Sequence, residues 1–251
     1  MKKNKLRWHG GLRGLRGGRW LAAAALCLAA AGCATGPGAH PQDPLEPYNR
    51  AMTQFNDGVD KVVMTPVATV YKNVLPWPVR AGIGNFFANL GDLWSFVNNV
   101  LQARGQAAAD SLARFGINSF IGIGGLFDVA SEANIPRHKQ DFGLTLGHWG
   151  VPTGPYLVLP LFGPSTLRDT VALPADTWGD LAWHARPVST RNSLYGLRVV
   201  DRRASLLGVT GVRDAAALDP YTFTRDVYLG VRGDAADKAG SDDDGKLPED
   251  D

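Results

Sequence analysis

Two cysteines in 251 residues, Cys27 and Cys33, both lie near the start of the chain and none follows. That scarcity removes disulfides, cysteine zinc sites and thiol nucleophiles from everything after residue 33. Stability there has to come from packing or from a surrounding medium. No acidic residue precedes Asp43. The apolar run Trp20 to Ala31 falls short of the roughly 20 residues that span a bilayer. Catalytic signatures are missing as well: there is no Gly-x-Ser-x-Gly elbow, no His-Glu-x-x-His and no Walker loop. The later histidines, His40, His138, His148 and His184, are not spaced as a metal pair, so no metal, no cofactor and no enzymatic activity is expected. One acid–base arrangement can be written, His148 with Asp141 or Asp169 and Ser165 as nucleophile, but such residues arise by chance in any domain of this size. Strand-like alternation is scarce, and the chain reads as mostly helical, broken often by Gly and Pro.

The beginning of the chain is rich in one thing, positive charge. Lys2, Lys3, Lys5, Arg7, Arg13, Arg16 and Arg19 precede the apolar run, which ends in Ala30-Ala31-Gly32-Cys33. A basic stretch, a short apolar core and small residues is the plan of a signal peptide. The junction resembles a bacterial lipobox, with Ala30 where a large aliphatic residue is usual. On this reading residues 1–32 are a lipoprotein signal peptide and Cys33 is the acylated N-terminus. Ordinary secretory cleavage at the same place leaves a free thiol instead. Ala34 stands where Asp resembles an inner-membrane retention signal, which favours the outer membrane. The leader takes with it a large share of the 26 Lys and Arg and none of the 24 acidic residues, so the remainder is net negative although the whole chain is +2. Nucleic acid is therefore not an expected partner. Residues 33–42 read as a tether, 43–233 as one folded domain, and 234–251 as a disordered acidic tail.

Within the domain, Asp43-Pro44-Leu45-Glu46 has the residues of a capping box with Pro at the first helical position, and a helix is expected from there towards Lys61. Asp219-Pro220 is a second start of that kind. The clearest helix is Val79 to Gln102, whose apolar residues recur at steps of three and four, interleaved with Asn85, Asn89, Asp92, Asn98, Asn99 and Gln102. Its apolar stripe fits either the core of a soluble bundle or contact with acyl chains. Gly116 to Asp128 mixes Gly with large apolar residues and reads as a packing turn. Gly154 to Ser165 carries three prolines, which argue against helix and central strand. It is expected to be an apolar loop, buried or in contact with lipid.

Several of these stretches are motifs in a fixed order. They run Asp43-Pro44-Leu45-Glu46-Pro47-Tyr48-Asn49-Arg50, Asn85-Phe86-Phe87-Ala88-Asn89-Leu90, Arg114-Phe115 with Asn118, and Gly122 to Asp128. Then come Asp141-Phe142-Gly143-Leu144-Thr145-Leu146-Gly147-His148-Trp149-Gly150, Gly154 to Pro160, Gly163-Pro164-Ser165, Leu167-Arg168-Asp169 and Asp219-Pro220-Tyr221. Together they resemble the MlaA (VacJ) lipoprotein family over about residues 43–232. The resemblance implies an all-α, ring-shaped domain of amphipathic helices embedded in the inner leaflet of the outer membrane. It implies passage of mislocalised phospholipid from the outer leaflet through an amphipathic channel to a periplasmic carrier of the MlaC type, beside a trimeric porin. With it, the 79–102 stripe is expected to face acyl chains. Asn85, Asn89, Asp92, Asp128, Asp141 and Arg168 become candidates for the polar side of the path. Gly122, Gly124 and Gly125 become candidates for a bend at its mouth. A structural lipoprotein that only scaffolds a porin, and a lipid or wall hydrolase built on Ser165 and His148, are the alternatives.

Overall fold

A computed structural model describes residues 40–240, without the side chains of 212–216 and 234–240. The proposed leader 1–32, Cys33, most of the tether and residues 241–251 lie outside the described residues.

Among the described residues the regular structure is helical but for one hairpin. Helix α1 (Glu46–Val59) continues through a π-helical turn (Asp60–Met64) into α2 (Thr65–Val74), and then α3 (Trp77–Leu101) and α4 (Gly105–Phe120) pack as an antiparallel pair. A short α5 (Val129–Glu132) and α6 (Phe142–His148) lead to strands β1 (Tyr156–Leu159) and β2 (Gly163–Thr166). Helix α7 (Leu167–Gly179), a 3-10 turn (Leu181–His184), α8 (Val188–Ala216) and α9 (Pro220–Gly240) complete the described chain. Contacts between elements form a closed circuit. Helix α2 packs on α8, α8 on α3, α3 on α6, α6 on α7, α7 on β2, β2 on β1, and β1 on α1, which runs back into α2.

The interior is polar. The largest fully buried side chains include Arg114, Gln102, Asn49, Asn89, Asn98, Asn99 and Asn118, whereas the buried apolar residues are mostly alanines. One small apolar cluster joins the hairpin to α9 through Tyr156, Val158, Tyr221 and Leu229, with Met52 of α1 against it. Helix α3 shows the inversion most clearly. Its buried residues are Asn89, Asp92, Ser95, Asn98 and Asn99, all polar, and none of its large apolar residues is buried. The periodic stripe is therefore present where the spacing predicts it, but its apolar side is only half-buried, with Trp94 bonded to Asp176 and Phe87 under Arg198, while its polar side is fully buried. Burying an amide without a partner costs about 1–3 kcal/mol, and the fold supplies partners for the amide NH2 groups, whereas Asn89 Oδ1, Asn99 Oδ1 and Gln102 Oε1 have none among the described residues. Asn98 Oδ1 accepts from Thr145 Oγ1 at 2.7 Å, Gln102 Nε2 donates to the same hydroxyl at 2.9 Å, and Asn99 Nδ2 donates to Ser95 O at 2.9 Å.

Three expectations need correction. Asp43 does not cap α1: the helix starts at Glu46 with Leu45 before it and no side-chain cap. Asp43 is instead buried and takes hydrogen bonds from Asn49, Tyr221 and Arg225, because the turn at Pro44 points it inwards at α9. Asp219 does serve its helix, accepting from Tyr221 N at 3.0 Å. Residues 154–165 are not irregular loop but, among the described residues, the one short ribbon of a mostly helical fold. Tyr156–Leu159 pairs antiparallel with Gly163–Thr166, Tyr156 opposite Thr166. Pro164 is tolerated because the ribbon has only two strands, so each strand has an edge that needs no donor. Asn49 fills part of the β1 edge: its Oδ1 accepts from Val158 N at 2.8 Å and its Nδ2 donates to Tyr156 O at 3.0 Å. Finally, α9 runs on to Gly240, into the segment read as a tail from 234.

Candidate functional site

Seven of the nine polar and glycine candidates meet at one junction between α3, α4 and the turn that follows. Arg114 on α4 is buried in it. Its Nη2 donates to Asp128 Oδ1 at 2.7 Å and Oδ2 at 2.9 Å and to Ser131 Oγ at 3.1 Å, its Nη1 donates to Ile135 O, and its Nε lies 3.5 Å from Asp92 Oδ2. Asp92 also pairs with Arg137 Nε at 3.1 Å. Asp128 caps α5 through Ser131 N and accepts from Asn118 Nδ2 at 2.9 Å. Asn85 Nδ2 donates to Leu126 O at 3.2 Å, and Asn89 Nδ2 donates to Ser119 Oγ at 2.9 Å.

The turn itself is set by glycine. At Gly122 an added Cβ would lie 2.2 Å from Phe127 O, and at Gly125, with φ +90°, it would lie 2.7 Å from Asn89 Nδ2. Gly124 has φ +67° but open space around it. Between these glycines Ile123 sits at φ +52°, a conformation that β-branched residues rarely take and that costs about 1–3 kcal/mol. Its side chain is two-thirds exposed, beside Phe120 at 89 % and Ile121. A fold shaped only by water would place Gly or Asn there. A contiguous exposed apolar turn marks contact with lipid or protein. The hairpin tip repeats the pattern, with Leu161 and Phe162 exposed.

Asp128 and Asp92 respond to burial differently. Desolvation pushes Asp128 up, but hydrogen bonds from Ser131 and Asn118 and the charges of Arg114 and Arg137 outweigh it and hold the carboxyl at about 2. For Asp92 desolvation wins over Arg137 and Arg114, and its pKa is raised. The linkage has a definite sign. A depressed acid contributes stability that is complete above its unfolded value of about 3.9 and is lost as pH falls towards 2. Asp92 acts in the opposite sense, since its protonation favours the fold. Wild type is expected to lose more unfolding temperature between about pH 5 and pH 2.5 than Asp128→Asn. Parallel pH profiles for the two proteins would remove Asp128 from the acid response.

The other two polar candidates belong to a second junction. Asp141 accepts from Leu144 N at the start of α6 and pairs with Arg232 Nη1 at 2.7 Å. Arg232 Nε reaches Asp169 at 2.8 Å, and Arg168 Nε reaches the same carboxylate at 3.1 Å. Desolvation raises Asp169, but Arg232 first and Arg168 next overcome it, and its pKa is lowered. Arg114, Arg137, Asn118 and Arg232 organise both junctions and were not among the candidates. Arg114 and Asn118 lay within a quoted motif, while Arg232 had no local signal. The acid–base arrangement does not assemble. No hydrogen bond joins His148 to Asp141, Asp169 or Ser165 among the described residues, and Ser165 Oγ contacts Thr170 Oγ1 and Thr166 O.

Among the described residues no helix is long and apolar enough to cross a membrane, and no three His, Cys, Asp or Glu are grouped to hold a metal.

A family model described as the MlaA lipoprotein matches residues 41–234. The intermembrane phospholipid transport system lipoprotein MlaA of Escherichia coli (strain K12) is 38 % identical over 192 residues, covering 74 % of this chain and 75 % of its own. The protein of the same name from Haemophilus influenzae is 33 % identical over 192 residues, covering 74 % and 76 %. A solved chain, from a structure on the structural basis for maintenance of bacterial outer membrane lipid asymmetry, superimposes with a TM-score of 0.68 at 36 % identity. That match covers 77 % of this chain and 98 % of the solved one.

Proposed function

The chain belongs to the MlaA lipoprotein family, and on that premise we propose that it works in intermembrane phospholipid transport. It removes mislocalised phospholipid from the outer leaflet of the outer membrane through an amphipathic channel and passes it to a periplasmic carrier of the MlaC type. Cys33, acylated, holds it at the periplasmic face, and a trimeric porin is its membrane neighbour.

The observation that carries this reading is the inverted distribution of residues. Arg114, Asn89, Asn98 and Asn99 are buried while Trp77, Phe120, Ile123 and Phe162 are exposed. In water each exposed large apolar side chain forgoes about 1.5–3 kcal/mol of burial. In the acyl region of a leaflet that penalty vanishes, and hydrogen bonding within the protein becomes obligatory. The closed circuit of packed elements is the kind of frame that a ring needs. A head group requires a polar path beside an apolar one, and the two faces of α3 supply that contrast.

The test is a deletion strain probed for surface-exposed phospholipid. The wild-type chain is expected to restore asymmetry, and Cys33→Ala to restore it only weakly because the protein is mislocalised. An unchanged surface phospholipid level on deletion, with porin still bound by the protein, would replace this reading with that of a structural lipoprotein.

A further inference from the structure

The 3-10 turn after α7 and the start of α8 form a corner that belongs to neither ionic junction. From Leu181 to Val200 the chain carries His184, Arg186, Arg191 and Arg198 and no acidic residue. The acids on either side are occupied. Asp180 accepts from Arg198 Nη2 at 3.0 Å, from the Tyr195 hydroxyl at 2.7 Å and from Ala182 N at 3.0 Å. Asp201 accepts from the Tyr71 hydroxyl at 2.7 Å. Arg186 and Arg191 are left without a carboxylate among the described residues. Arg186 is exposed on the loop that leads into α8. The Arg191 guanidinium lies on the indole of Trp183, 4.6 Å from the ring centroid.

Aromatic contacts hold this corner in shape. Trp183 meets Tyr195 edge-on at 6.4 Å, and Trp178 meets His184 in the same way at 6.0 Å. Arg198 lies over Phe87 of α3 at 4.8 Å, which fixes the corner to the frame of packed helices. Trp178 is 68 % exposed and Trp183 41 %. Other indoles spend their N–H inside the protein, Trp94 on Asp176 and Trp149 on Leu101 O. Those of Trp178 and Trp183 have no partner among the described residues. A guanidinium stacked on an indole is held in orientation, yet the donors in its own plane stay open.

Charge and ring type together select the occupant. The exposed turn Phe120 to Phe127 holds only Gly and large apolar residues, with no charge and no Trp, a surface for acyl chains. The corner has a different chemistry. Indoles with free N–H groups favour the boundary between hydrocarbon and water, and guanidinium pairs with phosphate through two parallel hydrogen bonds. Leu181 and Val188 are exposed beside them and can meet the first methylenes below a head group. We propose that Arg191 on Trp183, with Arg186 and the indole of Trp178, binds the phosphodiester of an anionic glycerophospholipid in the surrounding leaflet, phosphatidylglycerol being the simplest. This lipid stays beside the protein and is not the cargo. The site rests on the membrane placement in the reading above and adds a head-group preference to it.

The decisive variant is Arg186→Gln with Arg191→Gln, because neither side chain ties one element to another by an ion pair. The full-length protein in neutral detergent is titrated with short-chain phosphatidylglycerol, diacylglycerol with the same chains, and inorganic phosphate. Arg191→Gln is expected to bind phosphatidylglycerol about fivefold more weakly and the double variant about thirtyfold, with diacylglycerol unaffected by either. Equal phosphatidylglycerol affinity in wild type and the double variant would overturn the site. An equal loss for diacylglycerol reports a structural effect and would overturn it too. Inorganic phosphate binding as tightly as the lipid would reassign the corner to the free ion. The deletion strain separates the site from its premise. If wild type restores asymmetry but the double variant keeps its phosphatidylglycerol affinity, the site falls and the transport reading stands. If wild type fails to restore asymmetry while the thirtyfold difference persists, the transport reading falls and the site stands.

Discussion

Arg114→Ala is expected to lower stability by about 3–5 kcal/mol, the range for breaking a buried ion pair from one side. The side chain is 2 % exposed and ties three elements together: its own helix α4, Asp92 on α3 and Asp128 before α5. Without it, Asp92 keeps only the half-exposed Arg137, and a carboxylate already raised by desolvation becomes harder to ionise. For a domain of this size the loss corresponds to roughly 10 °C in unfolding temperature, measurable on detergent-solubilised protein. Two further variants make the argument specific. Arg114→Lys keeps the charge but not the fork of donors that spans Asp128, Ser131 and Ile135 O, so it recovers only part of the loss. Asp92→Asn is expected to recover stability in the Arg114→Ala background, because it removes the stranded charge. An Arg114→Ala protein that melts within about 2 °C of wild type would mean that the junction relaxes and that the fold does not depend on this pair.

Gly125→Val should be nearly as disruptive, for a different reason. Its φ of +90° is unfavourable for any side chain, and its Cβ would sit 2.7–2.8 Å from Asn89 Nδ2 and Cβ. Backbone strain of about 1–2 kcal/mol adds to overpacking of about 1–3 kcal/mol. Asn89 has little room to retreat: it is 1 % exposed and bonded to Ser119. Gly124→Asn is the informative partner. At φ +67° with nothing within 4 Å, Asn is tolerated almost as well as Gly. It is expected to melt as wild type does. Gly124→Asn thus tests whether the bend at this turn serves lipid passage, while Gly125→Val tests only whether the turn can form. Surface phospholipid that rises in a Gly124→Asn strain with normal protein levels would assign the turn a part in transport. A Gly125→Val protein as stable as wild type would show that the turn is not locked by Asn89.

The contrast between the two glycines shows how much of the candidate site was legible. Both were marked by composition, and both have positive φ. Only the structure separates them, because the neighbour of Gly125 lies thirty-six residues earlier on α3. Asn85, Asn89 and Asp92 were marked by the polar face of 79–102 and Asp128 by the motif Gly122 to Asp128, and they do converge. Asp141 and Arg168 sit elsewhere, Asp141 paired with Arg232 of α9 and Arg168 joined to the same arginine through Asp169. Arg232 was invisible because a lone Arg on a helix reads as a solvated surface until its partners are known. The hairpin was missed because three prolines in twelve residues usually break a sheet. A two-stranded ribbon has an open edge on each side, and there Pro164 costs little.

By itself the sequence determined what depends on neighbours along the chain. That covers the basic, apolar and small-residue order leading to Cys33, the 3.6-residue stripe of 79–102 and the helix start at Asp219-Pro220. It also covers the ordered motifs that carry the family resemblance. Tertiary structure alone decided which side of each stripe is inside and which charge meets which. Helical periodicity separates a polar face from an apolar one but does not say which faces the protein, and that depends on whether water or lipid is the solvent. In α3 the amides were taken in and the apolar residues left half-buried or exposed, because the hydroxyls and carbonyls that the amides bond come from α4, α6 and the 135–141 segment, up to forty-seven residues away.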